Sequence, residues 1–332
     1  MSKNRMMLSS RPRRNRRTPF LRNAVAETHL GTENLVYPIF LQDKIQGKIE
    51  ISTMPGQFRH SIDTLSQLIE DSLKLGIQSF ALFPAVDKAK KSSSGKEALN
   101  PKGLIPTALK KLTKRFPEAL FISDLALDPF TTHGHDGIVE NGKVVNDKTV
   151  EILAKMAVLH AESGASYVAP SDMMDGRVGK IREQLDHNSW IDTGIISYAA
   201  KYASAFYGPF REALDSAPKA GDKKTYQMDY RNSKEALREV LLDVSEGADI
   251  VMVKPALSYL DVIRRVKDVV HIPVAAYNVS GEYAMIKMAA QQGAFSESDI
   301  ILETMYSMRR AGADILFTYF AQDVAKLLNH RS

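Results

Sequence analysis

The chain of 332 residues contains no cysteine. It therefore forms no disulfide bond and no zinc site with thiolate ligands, a pattern typical of cytoplasmic rather than secreted proteins. No apolar run approaches the roughly 18 residues that cross a bilayer, and the N-terminus lacks the apolar segment of a secretory signal. These absences predict a cytoplasmic protein that has no membrane partner.

Acidic residues are missing from positions 1–22, which contain eight Lys or Arg residues. The rest of the chain has 36 basic and 39 acidic residues, so a basic arm precedes a body with a net charge of −3. Such an arm binds nucleic acid or docks on a neighbouring subunit. Its prolines and Phe20 favour docking, and no alternation of basic and aromatic residues continues into the body. We predict an oligomerisation arm over 1–33, with nucleic-acid binding as the alternative.

The body repeats a unit in which a helical pattern ends in glycine and an apolar strand follows two residues later. The four clearest copies contain Gly76, Gly164, Gly247 and Gly312. Glycine directly after a helix is the usual left-handed end residue. Continuous apolar strands are typical of a parallel sheet that is buried on both faces. The repeat therefore predicts alternating helices and parallel strands.

Eight such strands and the helices between them predict a (β/α)₈ TIM barrel over 34–332. The alternative, a doubly wound open sheet, lacks its Gly-x-Gly-x-x-Gly turn after the first strand. A polar, turn-rich segment at about 208–226 predicts an active-site lid. The predicted strands are 35–40, 79–83, 120–124, 167–169, 194–198, 250–253, 272–277 and 315–318. The clearest predicted helices are 62–75, 148–163, 233–245 and 297–311.

Lys201 and Lys254 each follow an apolar, β-branched run and precede a turn. Active sites of barrels lie at the C-terminal ends of the strands, where burial lowers the pKa of a lysine. A second ammonium nearby lowers that pKa further and leaves a neutral amine, which attacks a ketone to form a Schiff base. A single lysine in this setting is usually solvated or paired, but two favour chemistry. A class I aldolase, which needs only one such lysine, is the alternative.

The other strand ends are polar where a packed core gives way to a cleft. Their segments resemble the porphobilinogen synthase (5-aminolevulinate dehydratase) family, and the resemblance runs from residues 11–14 almost to the C-terminus. The clearest matching segments are 124–137, 169–177, 201–211, 252–261, 279–283 and 318–320. The resemblance implies the condensation of two 5-aminolevulinate molecules to porphobilinogen, with loss of two waters, in tetrapyrrole biosynthesis. It also implies barrel subunits that form a homo-octamer through their arms, and no organic cofactor.

The resemblance assigns one substrate to each lysine. Lys254 holds the molecule that contributes the propionate side, and Lys201 holds the one that contributes the acetate side. Each substrate carboxylate needs a cationic or hydrogen-bonding clamp. The lid is expected to supply one clamp through Arg211, Lys223 and Gln227, where Lys223 is preferred to Lys224 because of its spacing to Gln227. Ser280 and Tyr319 match the other clamp, and Phe210 and Tyr277 complete the substrate pocket.

From the residues alone, Ser280 is equally a turn residue and Tyr319 equally a core aromatic. In the zinc-dependent branch of the family, cysteines occupy the positions that are Ala126, Asp128 and Asp136 here. The resemblance therefore points to the cysteine-free, magnesium-type branch, since aspartates are hard ligands that suit Mg²⁺ or act without a metal.

We expect three carboxylates to act as acid/base and ammonium-binding groups near the amine of the second substrate, namely Asp124, Asp128 and Asp136. Ser171 and Tyr198 are expected to complete the hydrogen-bonding wall. His133 and His135 are either metal ligands or loop hydrogen-bonding groups, and the sequence leaves both alternatives open.

A second metal site follows from the resemblance only. It implies that Glu239 holds an allosteric Mg²⁺ through water, while Asp172 and Arg177 bridge to it across a subunit boundary. From the sequence alone, Glu239 is equally an exposed carboxylate on a helix. We expect Mg²⁺ to be allosteric rather than catalytic.

Overall fold

Eight parallel strands pair in chain order and close into a barrel in the computed structural model, which describes residues 8–329. Closure is made by the first and last strands, where Leu35 pairs with Leu316 and Val36 with Phe317. The strands are β1 (Leu35–Gln42), β2 (Ser79–Ala85), β3 (Leu120–Leu125), β4 (Tyr167–Pro170), β5 (Gly194–Lys201), β6 (Ile250–Lys254), β7 (Val274–Asn278) and β8 (Ile315–Thr318). The predicted (β/α)₈ barrel is confirmed.

Helices lie between the strands and after the last one, while α1 lies in the arm. The α-helices are α1 (Pro19–Ala24), α2 (Ile62–Lys74), α3 (Leu104–Arg115), α4 (Asn146–Glu162), α5 (Arg177–His187), α6 (Gly208–Leu214), α7 (Lys234–Ser245), α8 (Leu260–Lys267), α9 (Ser280–Gln291), α10 (Glu297–Ala311) and α11 (Ala321–Asn329). Short 3₁₀ helices cover Pro12–Arg16, Thr32–Asn34, Lys88–Lys90, Lys96–Leu99, Ala205–Tyr207 and Leu257–Tyr259. Two hairpins join Lys48–Glu50 to Phe58–His60 and Ile138–Glu140 to Lys143–Val145. Among the described residues, no helix has both the length and the apolar character needed to span a membrane.

The glycine that ends each repeated helix has the conformation that its position requires. Gly164 and Gly312 have φ angles of +104° and +118°, in the left-handed region. A Cβ atom at Gly164 would also lie 2.8 Å from the Thr113 hydroxyl. Glycine therefore lets the chain reverse tightly from helix to strand, as the repeat predicts.

Aromatic rings fill the barrel below its C-terminal mouth. Phe40 of β1 stacks on Tyr319 with 5.7 Å between ring centroids, and it lies 6.2 Å from Phe83 of β2. Tyr277 of β7 packs on Phe317 of β8 at 5.4 Å. These packed rings form the layer of the core that lies directly below the polar strand ends.

The described part of the arm has no buried residue before the barrel begins. Neither Pro12–Arg16 nor α1 buries a side chain, and Phe20 is 77% exposed. Contact with the barrel is made at His29, whose carbonyl accepts a 3.1 Å hydrogen bond from Arg309. The first seven residues of the predicted arm lie outside the described residues.

Candidate active site

Lys201 and Lys254 end two adjacent strands and lie side by side. Lys201 is the last residue of β5, Lys254 is the last residue of β6, and the two are direct register partners. Their side-chain nitrogens lie 5.7 Å and 5.0 Å from the centroid of the same ring, that of Tyr198. The structure thus places both amines beside one ring at the C-terminal mouth, although the prediction ended β5 three residues too early.

Lys254 is enclosed by aromatic rings. Its Nζ lies 4.1 Å from the ring centroid of Tyr277, 4.9 Å from Phe210 and 5.4 Å from Tyr207. No carboxylate in residues 8–329 lies within 4.0 Å of it. Burial lowers the pKa of Lys254 to about 7, and the charge of Lys201 adds to that effect. A large fraction of this amine is therefore neutral near pH 7.

Lys201 has polar neighbours instead. Its Nζ donates a hydrogen bond to the carbonyl of Ser171 and lies 3.6 Å from Oδ2 of Asp136. These are the partners of an ammonium group. The expectation of two uncharged amines is therefore supported for Lys254 only, whereas Lys201 has an anionic partner.

A third lysine, Lys223, is held near Lys201 by two carboxylates. Lys223 Nζ lies 2.5 Å from Oδ1 of Asp136 and 3.3 Å from Oδ2 of Asp128. Burial opposes the charge of Lys223, but Asp128 and Asp136 raise its pKa above the ordinary value. Burial likewise opposes the charge of Asp136, yet Lys223 and then Lys201 hold its pKa below the usual range. Lys224 points away and pairs with Asp222 at 3.8 Å, so the structure brings Lys223 into the site.

Asp124 is a buried carboxylate with an unsatisfied oxygen atom. It is buried, and its Oδ1 has no hydrogen-bond partner among the described residues. Burial raises its pKa to about 7, although the charge of Lys201 works in the opposite direction. Asp124 can therefore gain or release a proton near neutral pH, which is the property of a general acid or base.

The opposite wall contains hydroxyl groups. The hydroxyls of Tyr277 and Tyr319 lie 3.1 Å apart. Ser280, the first residue of α9, accepts a 3.0 Å hydrogen bond from the backbone N–H of Phe210 and donates to the carbonyl of Phe206 at 3.3 Å. Ser280 thus begins a helix rather than a turn, and it connects that helix to α6 in the predicted lid.

The predicted lid lies over the mouth with its two ends in different surroundings. Gln227 donates to Oδ2 of Asp136 at 3.5 Å, and its own Oε1 is buried without a partner among the described residues. Arg211 lies in a separate cavity of about 670 Å³, where Lys88 and Lys219 are among the neighbours. The structure therefore brings Lys223 and Gln227 together at Asp136 but does not bring Arg211 into contact with them.

His133 and His135 form hydrogen bonds within and beyond their loop. His133 Nε2 lies 3.2 Å from the carbonyl of Ser93, and His135 contacts Tyr226 and Ala220 of the lid. Within residues 8–329, no group of three or more His, Cys, Asp or Glu side chains is arranged to bind a metal. The hydrogen-bonding alternative is the one that these contacts support.

The predicted bridge between Asp172, Arg177 and a neighbouring subunit needs correction. Both side chains are buried inside the subunit, with exposures of 0% and 2%. Arg177 contacts both carboxylate oxygens of Asp243 at 3.3 Å and 3.2 Å, and it also contacts the carbonyl of Tyr198. Because Asp243 neutralises the guanidinium, Arg177 stabilises β5 and does not reach outwards. Glu239 on α7 is half-buried, and it lines an outer cavity of about 970 Å³ with Asp175 and Glu235.

Two tyrosines at the site were not singled out from the sequence. Tyr207 donates a 3.0 Å hydrogen bond to the carbonyl of Lys254 and also faces its amine. Tyr226 contacts the loop after β3. Tyr207 belongs to the segment 201–211 and Tyr226 to the predicted lid. A single sequence contains no signal that distinguishes these two tyrosines from the apolar residues around them.

Known proteins match almost the whole chain. The family model described as Delta-aminolevulinic acid dehydratase matches residues 9–327. The chain belongs to this family. A dehydratase of the same name from Bradyrhizobium diazoefficiens is 50% identical over 322 residues, which cover 97% of this chain and 91% of that protein. The Chlamydia pneumoniae dehydratase is 48% identical and covers 98% of both chains.

A solved structure agrees with these relatives. The crystal structure of the delta-aminolevulinic acid dehydratase (porphobilinogen synthase) of Toxoplasma gondii, in complex with the product porphobilinogen, matches with a TM-score of 0.94 and 50% identity. The match covers 96% of this chain and 91% of that one. The predicted family is therefore confirmed, and so is the prediction that the protein is a lyase, namely a 5-aminolevulinate dehydratase. The aldolase alternative is set aside.

Proposed function

We propose that this dehydratase condenses two 5-aminolevulinate molecules to porphobilinogen through Schiff bases on Lys254 and Lys201. The observation that carries the proposal is the register pairing of the two lysines, of which Lys254 has a pKa of about 7. A neutral amine attacks the ketone of the substrate, and water leaves as the imine forms. The imine then makes the neighbouring carbon acidic enough to form the new bond.

The carboxylates supply proton transfer in this proposal. Asp124, with its pKa of about 7, exchanges protons with the reacting atoms. Asp124 is also a better acceptor than Asp136 for a proton from Lys201, because the pKa of Asp124 is raised whereas that of Asp136 is held low. Asp128 and Asp136 together bind the ammonium of the second substrate once Lys223 turns to a substrate carboxylate. Ser171 and Tyr198 position the lysines from the wall.

Two clamps hold the substrate carboxylates. Lys223 and Gln227 form the first clamp with Arg211, whose guanidinium makes no ion pair with a described carboxylate and is available for an anion. Tyr319 and Ser280 form the second clamp. Phe210 and Tyr277 enclose the carbon chain between them, and closure of the lid excludes water from the imines.

Magnesium, in our proposal, acts outside the barrel mouth. The sequence has no cysteine, so a zinc–thiolate site is excluded. No described cluster of three ligands fits a directly bound metal. Mg²⁺ keeps several of its waters and often needs only one or two carboxylates. Glu239 fits such an ion, because burial raises its pKa and its acidic neighbours add to that effect, although the charge of Arg177 works in the opposite direction.

We further propose that the exposed arm builds a homo-octamer, with domain limits of 1–33 for the arm and 34–332 for the barrel. The exposure of Phe20, which is 77%, supports an arm that docks on another subunit. The cytoplasmic location stays a prediction from the missing cysteines.

The proposal is tested by reduction with borohydride in the presence of 5-aminolevulinate. We expect the mass of one reduced substrate on the peptide that contains Lys254, and formation of porphobilinogen without borohydride. The variant Lys224→Met, which removes an exposed lysine, is the matched control and should behave as the unaltered enzyme. Folded enzyme that gives neither the adduct nor porphobilinogen would contradict the proposal. Assays with and without a chelator, together with the mass of the assembly, test the roles of Mg²⁺ and the arm.

A further inference from the structure

The loop after β3 and the lid are joined by a polar contact that the proposed chemistry does not use. His135 Nδ1 lies 3.1 Å from the hydroxyl of Tyr226, and His135 Nε2 lies 3.0 Å from the carbonyl of Ala220. The backbone N–H of Asp136 donates to the same Tyr226 hydroxyl over 3.3 Å. One histidine therefore holds two points of the lid that are six residues apart.

The acceptors in this contact fix the positions of the protons. A carbonyl oxygen only accepts, so His135 carries its proton on Nε2 and donates it to Ala220. In the neutral ring Nδ1 is then an acceptor, and the Tyr226 hydroxyl donates to it while accepting from the N–H of Asp136. Burial raises the pKa of Tyr226, which keeps the phenol protonated. Each polar atom in the set thus has a partner of the right kind.

Next to this contact, the backbone of the loop packs closely against the backbone of the lid. The N–H of Lys219 donates to the carbonyl of His133 at 3.1 Å. Gly134 lies so near the lid that a Cβ atom there would be 2.4 Å from the carbonyl of Ala217. The loop and the lid therefore meet along a continuous seam, at which the contact of His135 with Tyr226 adds to the ion pairs of Lys223 with Asp128 and Asp136.

We propose that His135 and Tyr226 form a latch that holds the lid closed before substrate binds. Both are positioning residues rather than catalytic residues. Tyr226 precedes Gln227 and follows Lys223 by three positions, and both of those side chains contact Asp136. Opening the latch would therefore withdraw two groups from Asp136 at once. The consequence for catalysis rests on the proposed function, whereas closure of the lid does not.

Limited trypsin digestion without substrate measures closure directly, because Lys223 is buried between Asp128 and Asp136 and cleavage after it requires the lid to detach. We expect Tyr226→Phe to raise the rate of this cleavage about threefold to tenfold, the effect of losing one or two hydrogen bonds. His135→Ala should do the same. His135→Gln should restore part of the protection, since its amide keeps a donor and an acceptor. Tyr230→Phe removes a hydroxyl that is exposed on the same segment and is the matched control.

Cleavage sites within the barrel strands report global unfolding and should not change in any of these variants. In steady-state kinetics, Tyr226→Phe should raise KM by up to about tenfold and leave kcat within about twofold, because saturating substrate closes the lid by itself. Faster cleavage at an unchanged KM also supports the latch, and indicates a lid that stays mostly closed.

The proposal is overturned if cleavage of the lid is unchanged in Tyr226→Phe and His135→Ala, or if Tyr230→Phe accelerates it equally. A fall in kcat at constant KM would make Tyr226 part of the chemistry instead. Should the unaltered enzyme form no porphobilinogen, the proposed function fails, yet the digestion still decides whether the latch exists.

Discussion

Lys254 and Lys201 occupy equivalent positions at the ends of neighbouring strands, yet their surroundings differ. Lys254 faces aromatic rings, and no described carboxylate lies within 4.0 Å of its nitrogen. Lys201 faces the carbonyl of Ser171 and the carboxylate of Asp136. Strand position alone therefore does not determine the charge of a lysine at a barrel mouth.

The difference arises from which elements lie over each lysine. The rings around Lys254 come from β5, β7 and the lid, and they remove water without supplying a counter-ion. The partners of Lys201 come from the loops after β3 and β4. Burial without a counter-ion therefore acts on Lys254, whereas a carboxylate lies beside Lys201.

Removing Lys254, the lysine among the aromatic rings, is expected to have the largest effect on activity. Lys254→Met should lower the rate of porphobilinogen formation by at least about 10³-fold, the scale seen when a covalent catalytic group is lost. Initial-rate assays at saturating substrate measure it, and Lys224→Met provides the control. If Lys254→Met stays within tenfold of the unaltered enzyme, the two lysines are not functionally distinct.

Removing Lys201, the lysine with polar neighbours, should stop the condensation but still allow the imine on Lys254 to form. In Lys201→Ala, borohydride should still attach one substrate to Lys254. The charge of Lys201 is one of the causes that lower the pKa of Lys254, so its loss should move the pH midpoint of trapping above about 7. Trapping should therefore slow at pH 7 and recover at higher pH. An unchanged midpoint would show that the two amines are not coupled.

Asp124→Asn should lower the pH midpoint of borohydride trapping at Lys254, the opposite of the change expected for Lys201→Ala. The carboxylate charge of Asp124 raises the pKa of Lys254, so its loss should shift trapping to lower pH. Porphobilinogen formation should fall about 10²-fold, because a general acid or base is missing. The pH profile of kcat should also lose the contribution of Asp124 near pH 7. If both variants shift the midpoint the same way, the charge argument is wrong.

Much of the fold could be predicted because it depends on local sequence. The glycine-ended helices fix where strands begin, and β8 was predicted residue for residue. The end of β5 was missed, because Ala199 and Ala200 carry little strand preference and the pairing with β6 decides the boundary. The two lysines were recognised from their strand-end positions, but their charges depend on partners from other strands and loops.

Contacts between distant parts of the chain explain the remaining errors. Arg177 was expected to bridge to Glu239 across a subunit boundary, but it is buried in its own subunit and pairs there with Asp243, 66 positions later. The latch joins His135 to Tyr226 across 91 positions. Such pairs have no local pattern, so a single sequence does not reveal them.

The smallest expected effect tests whether the aromatic ring or its hydroxyl matters for Lys254. Tyr277→Phe keeps the ring 4.1 Å from Nζ but removes the hydroxyl that lies 3.1 Å from that of Tyr319. The trapping midpoint should stay near pH 7, because the burial that lowers the pKa is retained. KM should rise about threefold, since Tyr319 loses a partner in the carboxylate clamp. Tyr277→Leu, which removes the ring, should by contrast admit water and raise the midpoint. If Tyr277→Phe lowers kcat more than tenfold, the hydroxyl takes part in proton transfer, and the apolar and polar halves of the mouth are less separate than their contacts indicate.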